Sequence, residues 1–310
     1  MHQANGATGP SGPCGMERFF GKCDVQCCCR QPESMEIRTV LLMDTSPTNT
    51  SGSDHGSYPK FESLEDVTRN LTAIRQRIAA ACLHVGRNPS EVRLLPISKT
   101  VDEARLRLAY AAGCRQFGEN KVQEAARKWE AMADLPDLQW SIVGHLQRNK
   151  AKYVARFAAE FQALDSPRLA EELDRRLQAE GRSLDVFVQI NTSEEASKYG
   201  LAPEDGLAFI KSLTAYSSLR VRGLMTLALF SSDEARVRRC FSLLRTLRDQ
   251  WQQEAPEGVD LSQLSMGMSG DFEMAIQEGA TVVRVGQAIF GPRPLPDSHY
   301  WPVSSKAEPR

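Results

Sequence analysis

A single (β/α)8 barrel is the fold this sequence predicts, and three observations predict it. Short apolar runs alternate with helical periodicities without a break from residue 61 to 292, the pattern of a parallel sheet. Eight such runs fall within about 230 residues, close to the usual size of a closed barrel. Polar residues gather where each run stops, which is where such barrels keep their chemistry. A doubly wound open sheet is the other architecture this alternation can build.

The elements follow in order. Leu64, Val67, Leu71, Ile74 and Ile78 recur at helical spacing, with Ser63 placed to cap and Gly86 to stop a leading helix. RLLPIS at 93–98 reads as the first strand, although Pro96 removes a ladder donor. A helix over 102–112 is followed by a strand at 115–117, a helix over 122–132, a strand at 138–143 and a helix over 149–159. The fourth strand, 161–164, leads through Ser166-Pro167 into a helix lined by Leu169, Leu173 and Leu177 and ended by Gly181. LDVFVQI at 184–190 is the clearest strand; a helix over 203–215, a strand at 221–228 and a helix through Val237, Phe241 and Trp251 come next.

The stretch 264–291 then supplies two strands around one short helix, and each strand ends in small or polar residues: Gly267, Ser269 and Gly270, then Gly286. Arg284 interrupts the apolar run Val282, Val283, Val285, which is costly in a buried strand unless an acceptor or an anion faces it. Glycines there let a ligand approach the backbone, so these two strand ends are expected to hold a phosphate.

Composition bounds the function. The chain has 310 residues, 25% charged, with a formal net charge of −1, so it does not resemble a general nucleic-acid binder. No apolar run approaches the roughly 20 residues of a membrane helix. Residues 1–60 are rich in Gly, Ser, Pro, Thr and Asn and read as a disordered leader outside the native fold, with translation starting at Met35 or Met43 as an alternative. Five of the eight cysteines, Cys14, Cys23, Cys27, Cys28 and Cys29, lie there without the paired spacing of a zinc site. Cys82, Cys114 and Cys240 fall singly in helical patterns and read as core thiols of a reducing compartment, hence a cytoplasmic protein. Residues 293–310 read as a short tail, with Tyr300 a tail residue.

The polar residues at the strand ends are Lys99, Asn120, His145, Asp165, Asn191, Thr226, Ser265 and Arg284. Read as a set they hold an amine, neutral donors, an arginine and a phosphate cup, without a metal cluster or a carboxylate pair at motif spacing. That set fits a carbonyl cofactor bearing a phosphate. Lys99 shares one side of its strand with Leu95 and Ile97, so an inward face would place its amine in the barrel as a nucleophile for an aldehyde. The plainer reading is a rim lysine whose ammonium reaches water. His145 is read equally as a ring neighbour or a structural partner, Asn191 as a mouth residue or a loop cap, and Arg236, Arg238 and Arg239 as a solvated helix face.

ISKT at 97–100, FGENKVQE at 117–124, GHLQRNK at 144–150, QINTSEEASKYGL at 189–201, GLMTLA at 223–228, LSMGMSGDFEMAI at 264–276 and VRVGQAIFG at 283–291 together resemble the pyridoxal phosphate homeostasis protein family. The resemblance spans about residues 65–292, with its motifs in order. It implies a barrel like the N-terminal domain of alanine racemase, binding pyridoxal 5′-phosphate as a Schiff base on Lys99. By the same resemblance Ser265 gives a hydroxyl to the phosphate, backbone amides around Gly286 and Gln287 complete the cup, Arg284 faces the pyridine nitrogen, and Asn120, Met225 and Thr226 are wall residues. Two positions depart from the family pattern: Ser141, where histidine usually follows the tryptophan, and Pro96, where a smaller residue is common.

An arginine at the ring nitrogen would leave it unprotonated and the ring a weak electron sink. The tail after Gly291 is too short for the second domain that gives alanine racemase its tyrosine. The expectation is therefore a monomeric carrier that buffers the cofactor and hands it to apo-enzymes as transient recipients, without robust turnover and without catalytic residues. The alternative is a cofactor-dependent amino acid racemase or decarboxylase; a scaffold that binds no cofactor is a third possibility.

Overall fold

The computed structural model describes residues 59–193, 195 and 199–292; the expected leader up to residue 58 and the expected tail from 293 lie outside them. Helix α1 (Leu64–His84) comes first, with the Ser63 hydroxyl accepting the Asp66 N–H at its start. Its apolar stripe, Val67, Leu71, Ile74 and Ile78, is buried. Eight strands follow, each but the last leading to a helix across a parallel step: β1 (Arg93–Pro96), α2 (Glu103–Ala111), β2 (Gln116–Glu119), α3 (Val122–Ala131), β3 (Gln139–Ile142), α4 (Ala151–Phe157), β4 (Glu160–Leu164) and α5 (Pro167–Ala179). The second half runs β5 (Leu184–Gln189), α6 (Pro203–Ser212), β6 (Leu219–Met225), α7 (Glu234–Gln252), β7 (Gln263–Ser265), α8 (Phe272–Gln277) and β8 (Val282–Val285), then a single turn α9 (Gln287–Phe290).

The strands pair in parallel in the order β1-β8-β7-β6-β5-β4-β3-β2. The ends of that series meet where Ile97 bridges Gly118 and the Ser98 N–H donates to the Gly118 carbonyl at 2.9 Å. The ring therefore closes, and the barrel replaces the open-sheet alternative. A Cβ on Gly118 would stand 2.5 Å from the Ile97 side chain, so the seam admits only glycine without displacing its neighbour. Pro96 ends β1 beside this seam, where the loss of one donor interrupts no further ladder.

Strand limits shift where local pattern and pairing disagree. The sixth strand starts at Leu219, opposite Leu184, and stops at Met225, opposite Gln189, so Thr226, Leu227 and Ala228 lie beyond the sheet. The interior below the mouth is polar. Arg93 donates to Glu160 at 2.7 Å and to Gln116 at 2.5 Å, and Ser141 donates to Glu160 at 2.9 Å while accepting from Gln116 at 2.7 Å. The unusual serine of β3 thus completes a cluster low in the barrel, away from the strand ends. Cys82, Cys114 and Cys240 are buried free thiols, and burial pushes Cys114 up to about 11. Arg238 pairs with Glu278 at 2.9 Å, while Arg236 and Arg239 stay exposed on α7.

Candidate cofactor site at the barrel mouth

The carboxyl ends of the strands open into a cavity of about 370 Å³. That lies within the roughly 300–1,000 Å³ typical of small-molecule sites. Lys99 lines it from the turn after β1, Asn120 from the end of β2, Gly144 and His145 from the turn after β3, and Arg284, Gly286 and Gln287 from β8 and the start of α9. Five of the eight expected cofactor-binding residues, Lys99, Asn120, Arg284, Gly286 and Gln287, therefore share one space. Leu95 and Ile97 face inward and are buried, as strand alternation requires of the side that carries Lys99.

The other three lie under the floor. Met225, Thr226 and Ser265 are each 0% exposed and do not line the cavity. The Ser265 hydroxyl donates to Gln162 at 2.6 Å and accepts from Arg284 at 2.7 Å. Thr226 donates to the Ile190 carbonyl at 2.8 Å, and its own carbonyl accepts from Arg284 at 2.8 Å. These residues hold the arginine from below. Burial lowers Arg284 to about 10, against the nearby charge of Asp271, so it remains a cation at neutral pH.

The serine that does line the cavity, among the described residues, is Ser269. Strand β7 ends at Ser265, and the chain turns at Gly267, with φ of +92°, to bring Ser269 over the floor. The Met268 N–H donates to Asp271 at 2.6 Å, which fixes that turn, and the Gly286 N–H donates to the Ser269 hydroxyl oxygen at 3.2 Å. Burial holds Asp271 above the usual carboxylate range. The loops after β7 and β8 are thus joined into one cup.

On the opposite side His145 stacks on Tyr199, with ring centroids 4.1 Å apart, and lies 3.9 Å from Asp165. Burial raises the Asp165 carboxyl, an effect the neighbouring His145 opposes. Asn191 serves its own loop, accepting the Ser193 N–H at 3.1 Å and donating to the Glu195 carbonyl at 3.0 Å. Sequence reasoning did not single out Arg105, which lines the cavity from α2 and donates to the Phe61 carbonyl at 3.0 Å. It also passed over Tyr199 and Phe230, both exposed at the rim. No carboxylate is among the described residues of the lining, and no group of metal-binding side chains is found among the described residues.

The donor set is an amine, two guanidinium groups, a serine hydroxyl and a glycine-flanked turn around one cavity. It suits an anionic ligand that also carries a carbonyl. Comparison with known proteins agrees in kind. The alanine racemase N-terminal domain model matches residues 63–294. A pyridoxal phosphate homeostasis protein of Aquifex aeolicus is 40% identical over 223 residues, covering 72% of this chain and 96% of that protein. Its namesake in Escherichia coli K12 is 38% identical over 234 residues, covering 74% and 98%. PipY of Synechococcus elongatus, solved with PLP bound, superposes with a TM-score of 0.64 at 38% identity, covering 73% of this chain and all of that one. On its motifs, its closed barrel and these relatives, this chain belongs to the pyridoxal phosphate homeostasis protein family, built on the alanine racemase N-terminal fold.

Proposed function

We propose that this chain binds pyridoxal 5′-phosphate at the barrel mouth and serves intracellular cofactor homeostasis, with Lys99 as the amine that captures it. The observation that carries this reading is the sharing of one cavity by Lys99, Arg284 and the Ser269–Gly286 cup in a chain of this family. When bound, the cofactor supplies an aldehyde that condenses with a primary amine, expelling water, and a ring able to accept electron density. Ser269 has its oxygen occupied by the Gly286 N–H, which leaves its O–H to donate to a phosphate. Gly286 and Gln287 let an anion approach the backbone at the same place. Asn120 forms part of the wall, Thr226 and Ser265 act from beneath through Arg284, and Met225 is buried at the end of the neighbouring strand.

Arg284 keeps its protons, so it disfavours a second positive charge on a ring nitrogen near it, and with it carbanion chemistry. The described lining offers no carboxylate to reverse that preference. The chain therefore acts as a buffer that hands the cofactor to apo-enzymes, as a cytoplasmic monomer. No described helix is long and apolar enough to cross a membrane.

The purified protein with pyridoxal phosphate should be yellow and the Lys99→Ala variant colourless; equal absorbance in both would remove Lys99 from the role. Incubation with amino acids, followed by optical rotation and carbon dioxide release, should show no turnover. A rate above about 1 per second, near the low end for enzymes, would make it a racemase or decarboxylase instead.

A further inference from the structure

The residues on either side of Lys99 are both gripped from α3. Lys128 is wholly buried on that helix, and its ammonium donates to the Ser98 carbonyl at 2.8 Å, to Glu119 at 2.7 Å and to Glu124 at 2.7 Å. The same Glu124 oxygen accepts the Thr100 N–H at 2.9 Å. The Ser98 hydroxyl donates to Glu119 at 2.6 Å. Residue 98 is thus held at its carbonyl and hydroxyl, residue 100 at its amide, and the side chain between them lines the cavity.

Two costs accompany this arrangement. A fully buried ammonium and a fully buried carboxylate are expensive to take out of water. Burial raises Glu119 despite the facing Lys128, whereas in Glu124 the bonds and charge of Lys128 and the Thr100 N–H outweigh burial and hold the carboxyl below its ordinary range. Thr100 has φ of +67°, the one positive value outside glycine among the described residues, and it is β-branched. Such a residue stays there only where its surroundings over-determine it. Apolar residues at both 119 and 128 would pack α3 against the barrel without the first of these costs. The charged network does what packing would not: it pins the backbone on both sides of one reactive lysine and forces the bend that follows it.

We propose that Glu124, backed by Lys128, is a positioning residue that aims the Lys99 amine, and so governs the aldehyde-dependent part of cofactor capture. The proposal rests on the reading of Lys99 as the capturing amine. Binding to the phosphate cup, built on β7 and β8, is separate from it.

The test compares two ligands, pyridoxal 5′-phosphate and pyridoxine 5′-phosphate, which differ in carrying an aldehyde or an alcohol. Wild type, Glu124→Ala, Glu124→Gln and Lys99→Ala are titrated with each, and amide exchange at Thr100 is measured in the cofactor-free proteins. Glu124→Ala leaves Lys128 paired with Glu119, so no buried charge is stranded and the fold is retained, which the thermal midpoint checks. It should weaken the aldehyde ligand about tenfold, as expected for one charge-assisted bond, and the alcohol less than about twofold. Exchange at Thr100 should rise in the same variant, and Glu124→Gln, which keeps an acceptor oxygen, should recover most of both effects. Equal weakening of the two ligands, or no change in either, would overturn the positioning role. Should Lys99→Ala lose the preference for aldehyde while Glu124→Ala keeps it, the inference falls and the cofactor reading stands; an aldehyde preference unchanged in Lys99→Ala sinks the cofactor reading itself.

Discussion

The lower and upper halves of the barrel interior treat charge in opposite ways. Below, Arg93 meets Glu160 at 2.7 Å, and Gln116, Ser141 and Gln162 occupy the surrounding donors and acceptors. Above, Arg105 and Arg284 bond directly to neutral groups, namely backbone carbonyls and the Ser265 hydroxyl, and both line the cavity. A cation matched by its own carboxylate is structure. A cation held by neutral acceptors at a mouth keeps its field for whatever enters. The two halves are joined, because Gln162 donates to Glu160 below at 2.6 Å and accepts from Ser265 above at 2.6 Å.

The sharpest way to break this comparison is Glu160→Leu. It leaves Arg93, Ser141 and Gln162 without their shared acceptor, and unfolding in denaturant should show a loss of about 2–4 kcal/mol. Ligand affinity at the mouth should change less than about threefold, and an equal loss at the mouth would mean that the halves are one unit. Next comes Arg284→Lys. A lysine is a point charge and cannot span Ser265 and the Thr226 carbonyl as the guanidinium does, so titration should show cofactor binding weaker by about tenfold. The smallest effect is in pH. Glu124 is held below its ordinary value of 4.5, so its contribution to stability is present above that pH and lost as pH falls through the folded value. Glu119, raised by burial, works in the opposite sense, its penalty lifting as it takes a proton. Thermal melts of wild type and Glu124→Gln should therefore differ above the ordinary carboxyl value of 4.5 and converge as pH falls below it, the difference being under about 1 kcal/mol, since the carboxyl is partly exposed.

Much of this was readable in the residues, for identifiable reasons. The eight strands and the helices between them follow from apolar spacing, because each element buries one face and repeats at its own period. Period two put Lys99 on the side of Leu95 and Ile97 and left a rim lysine as the plainer reading; the family resemblance made it the candidate amine. Ser265 and Ser269 belong to one short motif, and the family resemblance pointed to the first; the turn at Gly267 leaves the first buried outside the cavity lining and brings the second into it. Lys128 did leave a signal, standing at helical spacing from Val122 and Ala125, the buried face of α3. A lysine on an apolar face asks for partners, and those partners sit on other elements.

What the linear chain determined by itself was the kind and order of its elements, the chemical classes at their carboxyl ends, and the family those motifs mark, since each depends on neighbours a few residues apart. The folded barrel decided the rest: the seam at Ile97 and Gly118, the burial of Ser265 against Arg284, and the grip of Lys128 on Ser98 and of Glu124 on Thr100, either side of Lys99. Those outcomes require groups from separate strands and helices to meet, and only closure of the ring brings them within hydrogen-bond distance.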